Sequence, residues 1–158
     1  MQCQADNDLN EGGIKQALEA KKVLENIEYD LVISSPFIRA RKTAEIANNG
    51  RKPLIIEDKL RERNGGVLDG QILPRETILD FFNYNKDIQC EGAEGIQDFC
   101  KRVWEYVDEV KEKYKDKNIV LVTHNIVIRA MRAYIIGMPE DGDIEQFGIK
   151  NGEVIKLI

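Results

Sequence analysis

The stretch NIVLVTHNIVIRAM, residues 118–131, decides how this chain is read. Its first part, Ile119 to Val122, is apolar at every position, as expected of a parallel strand covered on both faces. Its second part carries apolar residues at helical spacing as far as Gly137 and Pro139, which stop a helix. A buried strand running straight into a helix is half of a βαβ unit. His124, the single histidine among 158 residues, sits at the seam.

Working outward, the same alternation recurs. DLVISS (residues 30–35) and PLIIED (residues 53–58) read as short strands, and GEVIKLI (residues 152–158) as a final one. Between them lie helical segments. Asn10 is a good N-cap for EGGIKQALEAKKVLENI, where Ile14, Leu18, Val23 and Leu24 suggest the core-facing stripe. Ser35 is placed to cap a helix in PFIRARKTAEIANNG, with Pro36 at its first position and Asn48 to Gly50 as its stop. RETILDFFNYN suggests a short helix after a glycine-rich loop. Residues 94–114 form the clearest helix, with Ile96, Phe99, Cys100, Val103, Val107 and Val110 on one face and Trp104 at its border. Strands alternating with helices predict a three-layer α/β/α domain with a mostly parallel sheet over residues 1–158.

Composition narrows the class. Hydrophobic residues make up 42% and charged residues 32%, ordinary for a globular chain. The net charge is −5 with Lys and Arg dispersed, which argues against a nucleic-acid surface. No apolar run approaches the roughly 20 residues of a membrane span. The opening MQCQADNDLNEGG has no signal-peptide pattern, so the expected location is cytoplasmic. Cys3, Cys90 and Cys100 form no Cys-x-x-Cys pair and read as reduced thiols. One histidine and scattered cysteines make no zinc site, and no metal or cofactor is expected.

In open parallel sheets, ligands bind beyond the carboxyl ends of the strands. Three candidates lie there: the segment Ser34 to Arg39 after LVIS, with Arg39 as its functional side chain, Glu62 after LIIED, and His124 after IVLVT. Each has an ordinary reading as well: a solvated helix arginine, a surface ion pair between Glu62 and its flanking arginines, and a structural histidine. Taken together they suit phosphoryl chemistry. A guanidinium holds an oxyanion, a carboxylic acid protonates a leaving oxygen, and an imidazole serves at phosphorus.

Four stretches in order carry a family resemblance. QADNDLNEGGIKQA precedes the first helix, SSPFIRARKTAEI follows the first strand, LRERNGGVLDG forms the glycine-rich loop, and VTHNIVIR closes the set. Together they resemble the histidine phosphatase superfamily, the phosphoglycerate-mutase-like fold, and NGEVIKLI is similar to its last strand. The resemblance implies that Arg39 binds phosphate, Glu62 donates the proton, and His124 stabilises the transferring phosphoryl group. It also implies that Asn125 offers its backbone N–H to the anion and that Gln2 and Cys3 occupy a substrate-contacting loop. Cys3 stands where the family usually has glycine.

One departure weighs on activity. The family's nucleophile is another histidine, in an Arg-His-Gly motif at the end of a strand ahead of everything quoted above. Neither that motif nor a second histidine is present. The expectation is that the first family strand is missing, that the native polypeptide starts upstream of Met1, and that the chain as given is inactive. The expected reaction is hydrolysis of a small phosphomonoester through a phosphohistidine, acting on a small phosphorylated metabolite. The alternatives are a phosphoglycerate mutase, a non-catalytic pseudo-phosphatase that binds a phosphorylated ligand, and an unrelated nucleotide-binding α/β domain. The last lacks any glycine-rich phosphate loop after a strand.

Overall fold

A computed structural model of the chain describes residues 6–158. The chain forms two compact units, one built from Asp6–Arg61, Asp108–His124 and Ile149–Ile158, the other from Glu62–Val107 and Asn125–Gly148.

The first unit holds the parallel sheet. Helix α1 spans Glu11–Leu24, strand β1 Leu31–Ser34, helix α2 Ile38–Asn48, strand β2 Leu54–Ile56 and strand β3 Ile119–Val122. The sheet order is β2-β1-β3 and both pairings are parallel. Leu31 pairs with Ile119 and Ser34 with Val122, so β1 and β3 end level with each other. All four residues of β1 are buried. Since successive side chains point to opposite faces, both faces of β1 are covered, which is why LVIS is continuously apolar until its last residue.

The α1–α2 core follows from small residues. Asn10 caps α1, its Oδ1 accepting the Gly13 N–H at 2.8 Å. Ala17, Ala20 and Leu24 are the buried residues of α1, and Ala40, Ala44, Ala47 and Asn48 those of α2. Ile14, Leu18 and Val23, the residues expected to face the core, are 43–44% exposed. Alanines at i, i+3 and i+4 let two helix backbones approach closely, and that close approach selects the buried stripe over raw hydrophobicity. Ala20, Leu24, Tyr29, Val32, Ala44 and Ala47 form the buried cluster, with Leu54, Val120, Val122 and Val154 packed against it. Tyr29 donates its hydroxyl to Asn48 Oδ1 at 3.0 Å inside this core.

The expected strand over GEVIKLI is not formed: residues 153–158 run without a ladder among the described residues. A strand exists only through its partner's hydrogen bonds, and apolar alternation alone supplies none. Val154 still packs on the core.

The second unit is helical and loop-rich. It contains α3 (Arg75–Phe81), most of α4 (Ile96–Lys113) and α5 (Asn125–Ile136), with single 3-10 turns at Gly66–Leu68 and Glu145–Phe147. On α4, Ile96, Phe99, Cys100, Val103, Tyr106 and Val107 are buried, matching the expected stripe except at Val110, which is half-buried. Trp104 at the border donates its indole N–H to the Ala130 carbonyl of α5 at 2.9 Å. Its ring stacks on Tyr134 at 5.6 Å and leans on Tyr84 at 5.6 Å.

The loop after residue 61 is pinned from inside. Arg63 is fully buried, its guanidinium 3.7 Å from the centre of the Phe81 ring and its Nε donating to the Glu94 carbonyl at 2.8 Å. Glu94 in turn exchanges backbone contact with Asn64 and takes a two-pronged ion pair from Arg102, at 2.8 and 2.9 Å. A planar guanidinium satisfies this role because it can stack and donate in one plane at once.

Candidate active site

The site grows out of strand register. Because Ser34 pairs with Val122, β1 and β3 leave the sheet together, and the next residues share one edge. The Ser35 N–H still reaches the Val122 carbonyl at 2.9 Å. Thr123 then turns the chain, its hydroxyl donating to the Leu60 carbonyl at 2.6 Å. His124 follows and opens α5.

Two side chains grip its ring. Ser35 Oγ lies 2.7 Å from Nε2, and Arg39 Nη2 lies 3.1 Å from Nδ1. Arg39 stands on the first turn of α2, one residue past its start. A guanidinium carries donors only, so Nδ1 must offer its lone pair. In the neutral imidazole this pairing assigns the proton to Nε2, with Ser35 Oγ as its acceptor. This is the reverse of a serine–histidine base pair, in which a carboxylate accepts from the far nitrogen and leaves the near one free to take a proton. His124 is thus presented as a hydrogen-bond donor, beside a guanidinium, at the carboxyl ends of parallel strands. That combination suits an oxyanion.

Phe37 completes the cluster. Its ring meets His124 edge-on, with centroids 5.2 Å apart at 68°, and the Arg39 guanidinium lies 5.0 Å from the Phe37 centroid. Ser34, Ser35 and His124 are buried polar residues, whereas Phe37 and Arg39 are half-buried and face the edge.

The structure brings Arg39 and His124 together, as expected. Glu62 opens the helical unit, where it is half-buried and its Oε1 accepts the Arg63 N–H at 3.2 Å. Of its two neighbours, only Arg61 lies at the surface, paired with Asp58 at 2.6 Å; Arg63 is an interior residue. Asn125 begins α5, and its side-chain oxygen accepts from Arg129 Nε at 3.1 Å. Gln2 and Cys3 lie outside the described residues. Within the expected Ser34 to Arg39 segment, the sequence gives Ser35 only a helix-cap role and Phe37 none. The helix starts at Ile38 with Phe37 as its cap, so Ser35 is drawn to the stronger imidazole partner, its bond to the Phe37 N–H being 3.4 Å. A serine just past the end of an apolar strand and four residues before an arginine is the pattern that would have flagged it.

An arginine and a buried histidine meet at the carboxyl ends of parallel strands in an α/β protein. The match to known proteins narrows that class: the chain belongs to the histidine phosphatase superfamily (branch 1), whose family model spans residues 1–158. It is 29% identical over 138 residues to an uncharacterized phosphatase, PhoE, of Bacillus subtilis, covering 85% of this chain and 69% of that protein. It is 29% identical over 142 residues to phosphoserine phosphatase 1 of Hydrogenobacter thermophilus, covering 84% and 66%. Among solved structures, a mycobacterial glucosyl-3-phosphoglycerate phosphatase complexed with VO3 superposes with a TM-score of 0.83 at 25% identity, over 96% of this chain and 79% of the other. The fold is that of the histidine phosphatases. No helix among the described residues is long and apolar enough to cross a membrane.

Proposed function

We propose that this protein is a phosphatase that hydrolyses a small phosphomonoester through a phosphohistidine. The observation that carries the reading is the Arg39–His124 pair, 3.1 Å apart at the edge of the parallel sheet. In this reading the Arg39 guanidinium binds the phosphoryl oxygens through the donors it does not direct at His124 Nδ1, and the Nε2–H of His124 turns from Ser35 Oγ to one of those oxygens as charge builds up. The backbone N–H of Asn125 serves the same anion, and Gln2 and Cys3 contact the organic part of the substrate. Glu62 is the acid, assigned by its place in the LRERNGGVLDG motif.

The chemistry runs in two balanced steps. A histidine nitrogen attacks phosphorus, the bond from phosphorus to the ester oxygen breaks, and Glu62 gives that oxygen its proton. Water then attacks phosphorus, Glu62 takes a proton back, and the phosphorus–nitrogen bond breaks. His124 cannot be both donor and nucleophile. The reading therefore places the nucleophilic histidine outside these 158 residues, which hold one imidazole.

Substrates follow the relatives in class only: phosphorylated metabolites of modest size. The single histidine favours a second reading, a non-catalytic domain that binds a phosphorylated ligand without turnover.

The test is made on protein purified from its own cells, with intact mass and N-terminal sequence determined first. A panel of phosphomonoesters is then assayed for released phosphate and for an acid-labile, base-stable phosphoenzyme. Turnover with a trapped phosphohistidine, lost in Arg39→Met, supports the phosphatase. Saturable phosphate or vanadate binding without turnover supports the second reading. Absence of both sinks the two together.

A further inference from the structure

We propose that Phe37 is a positioning residue that holds Arg39 and His124 in the arrangement that receives an oxyanion. The inference rests on reading those two residues as the phosphate-binding pair.

Three observations converge on Phe37. Its ring touches both functional groups at once: it meets His124 edge-on at 5.2 Å, and the Arg39 guanidinium sits 5.0 Å from its centroid. The residue is half-buried and is not among the residues of the alanine-lined cluster. It also breaks a local rule. Phe37 is the N-cap of α2, in extended conformation with φ −63° and ψ 137°, and makes no side-chain capping bond. Ser, Thr, Asn and Asp are the residues favoured there, because their oxygens satisfy free N–H groups of the first turn. Here that service comes from elsewhere, with Asp6 Oδ1 accepting the Ile38 N–H. A phenylalanine that forgoes capping while touching both site residues is placed for the site.

The physical role follows from the ring. An arginine side chain is long and has many rotamers, so a hydrogen bond to the imidazole does not by itself fix its plane. The face of Phe37 offers the cation a flat, electron-rich surface, which limits where the guanidinium can lie. The same ring abuts the imidazole edge, which restricts its rotation about the side-chain axis. With both partners confined, Arg39 donates to Nδ1 and the ring proton stays on Nε2. An aliphatic side chain of similar volume would fill the space but would neither attract the cation nor set its plane.

The test is made on the 158-residue chain, whose single histidine makes it direct: a long-range proton–nitrogen spectrum of that labelled chain shows one imidazole. In the wild type at alkaline pH, the protonated nitrogen is expected to be the one that couples to both ring C–H protons, which is Nε2. Phe37→Leu is expected to shift both nitrogens toward a tautomer mixture and to weaken binding of inorganic phosphate about tenfold. Phe37→Tyr keeps the aromatic face and is expected to restore both. Backbone amide spectra report whether each variant is folded, and Phe37→Met serves as a second unbranched replacement. A wild-type ring protonated on Nδ1 would overturn the inference. So would Phe37→Leu and Phe37→Met with unchanged imidazole signals and phosphate affinity. If the imidazole responds as expected while the wild type binds neither phosphate nor vanadate, the positioning role stands and the phosphatase reading falls.

Discussion

The hydroxyl of Ser35 lies 2.7 Å from Nε2 of His124, across 89 residues of sequence. The contact exists because β1 and β3 are adjacent and end in register. Both residues are buried, so neither can exchange its partner for water without loss.

Ser35→Ala removes the acceptor for the imidazole proton and leaves a buried N–H unmet. The expected cost is about 1–3 kcal/mol of folding stability. Phosphate affinity is expected to fall as well, and Ser35→Thr to recover most of both. Chemical denaturation and phosphate titration measure the two effects. A Ser35→Ala protein as stable as wild type would show that the 2.7 Å contact has no energetic weight.

The ion pair between Arg102 and Glu94 sits largely out of water, with side chains 16% and 18% exposed. Breaking such a pair from one side strands a charge, and costs about 3 kcal/mol. Arg102→Gln is therefore expected to lower the melting temperature markedly, far more than Lys101→Gln at an exposed pair one residue away. Equal shifts for the two variants would contradict the argument.

Gly66 has φ +53°, and a Cβ added there would stand 2.3 Å from the Glu91 carbonyl oxygen. Backbone cannot yield as a side-chain tip can. Gly66→Ala combines this clash with a left-handed conformation that itself costs about 1–2 kcal/mol. The variant is expected to loosen the loop that follows Glu62, read as faster amide exchange at Asn64 to Leu68. Gly70, with φ +77° and open space around its Cβ position, is the control: Gly70→Asn is expected to be mild.

Burial pushes the Cys100 thiol up from its ordinary 9.0 to about 12. The folded state therefore holds this proton more tightly than the unfolded chain does. The stabilisation is complete below pH 9 and is lost as pH rises from there through about 12. Melting temperature is expected to drop over that range less steeply in Cys100→Ala than in wild type. In the native protein at pH 8, iodoacetamide is expected to spare Cys100 and react after unfolding. Rapid native alkylation at Cys100 would refute both expectations.

Much of the fold was legible because its signals are local. The stripe on α4 is long and strongly one-sided, and Asn10 caps α1 through its own next turn. The unbroken apolar runs LVIS and IVLV announce a parallel sheet, since only a strand covered on both faces needs them. Arg39 and His124 were legible as chemistry near strand ends, and their motif order pointed to the family.

What failed were choices between partners. Ile14, Leu18 and Val23 looked like a core stripe, yet the alanines of α1 and α2 took the interface. GEVIKLI alternates like a strand, but a ladder needs a neighbour that sequence does not name. Ser35 has one hydroxyl and two local uses, and the imidazole prevailed over the helix cap. Arg63 reads in sequence as a surface charge beside Glu62, whereas the Phe81 ring and the carbonyls of Phe81 and Glu94 give its guanidinium an interior.

The class of fold, the order of the elements up to α5 and the family are legible in the sequence, because they depend on periodicity and residue type along the chain. The contacts of Ser35, Phe37 and Arg39 with the His124 ring come from the tertiary structure alone. Those facts depend on which groups from distant strand ends come within 3 Å or so of each other, and strand register sets that meeting.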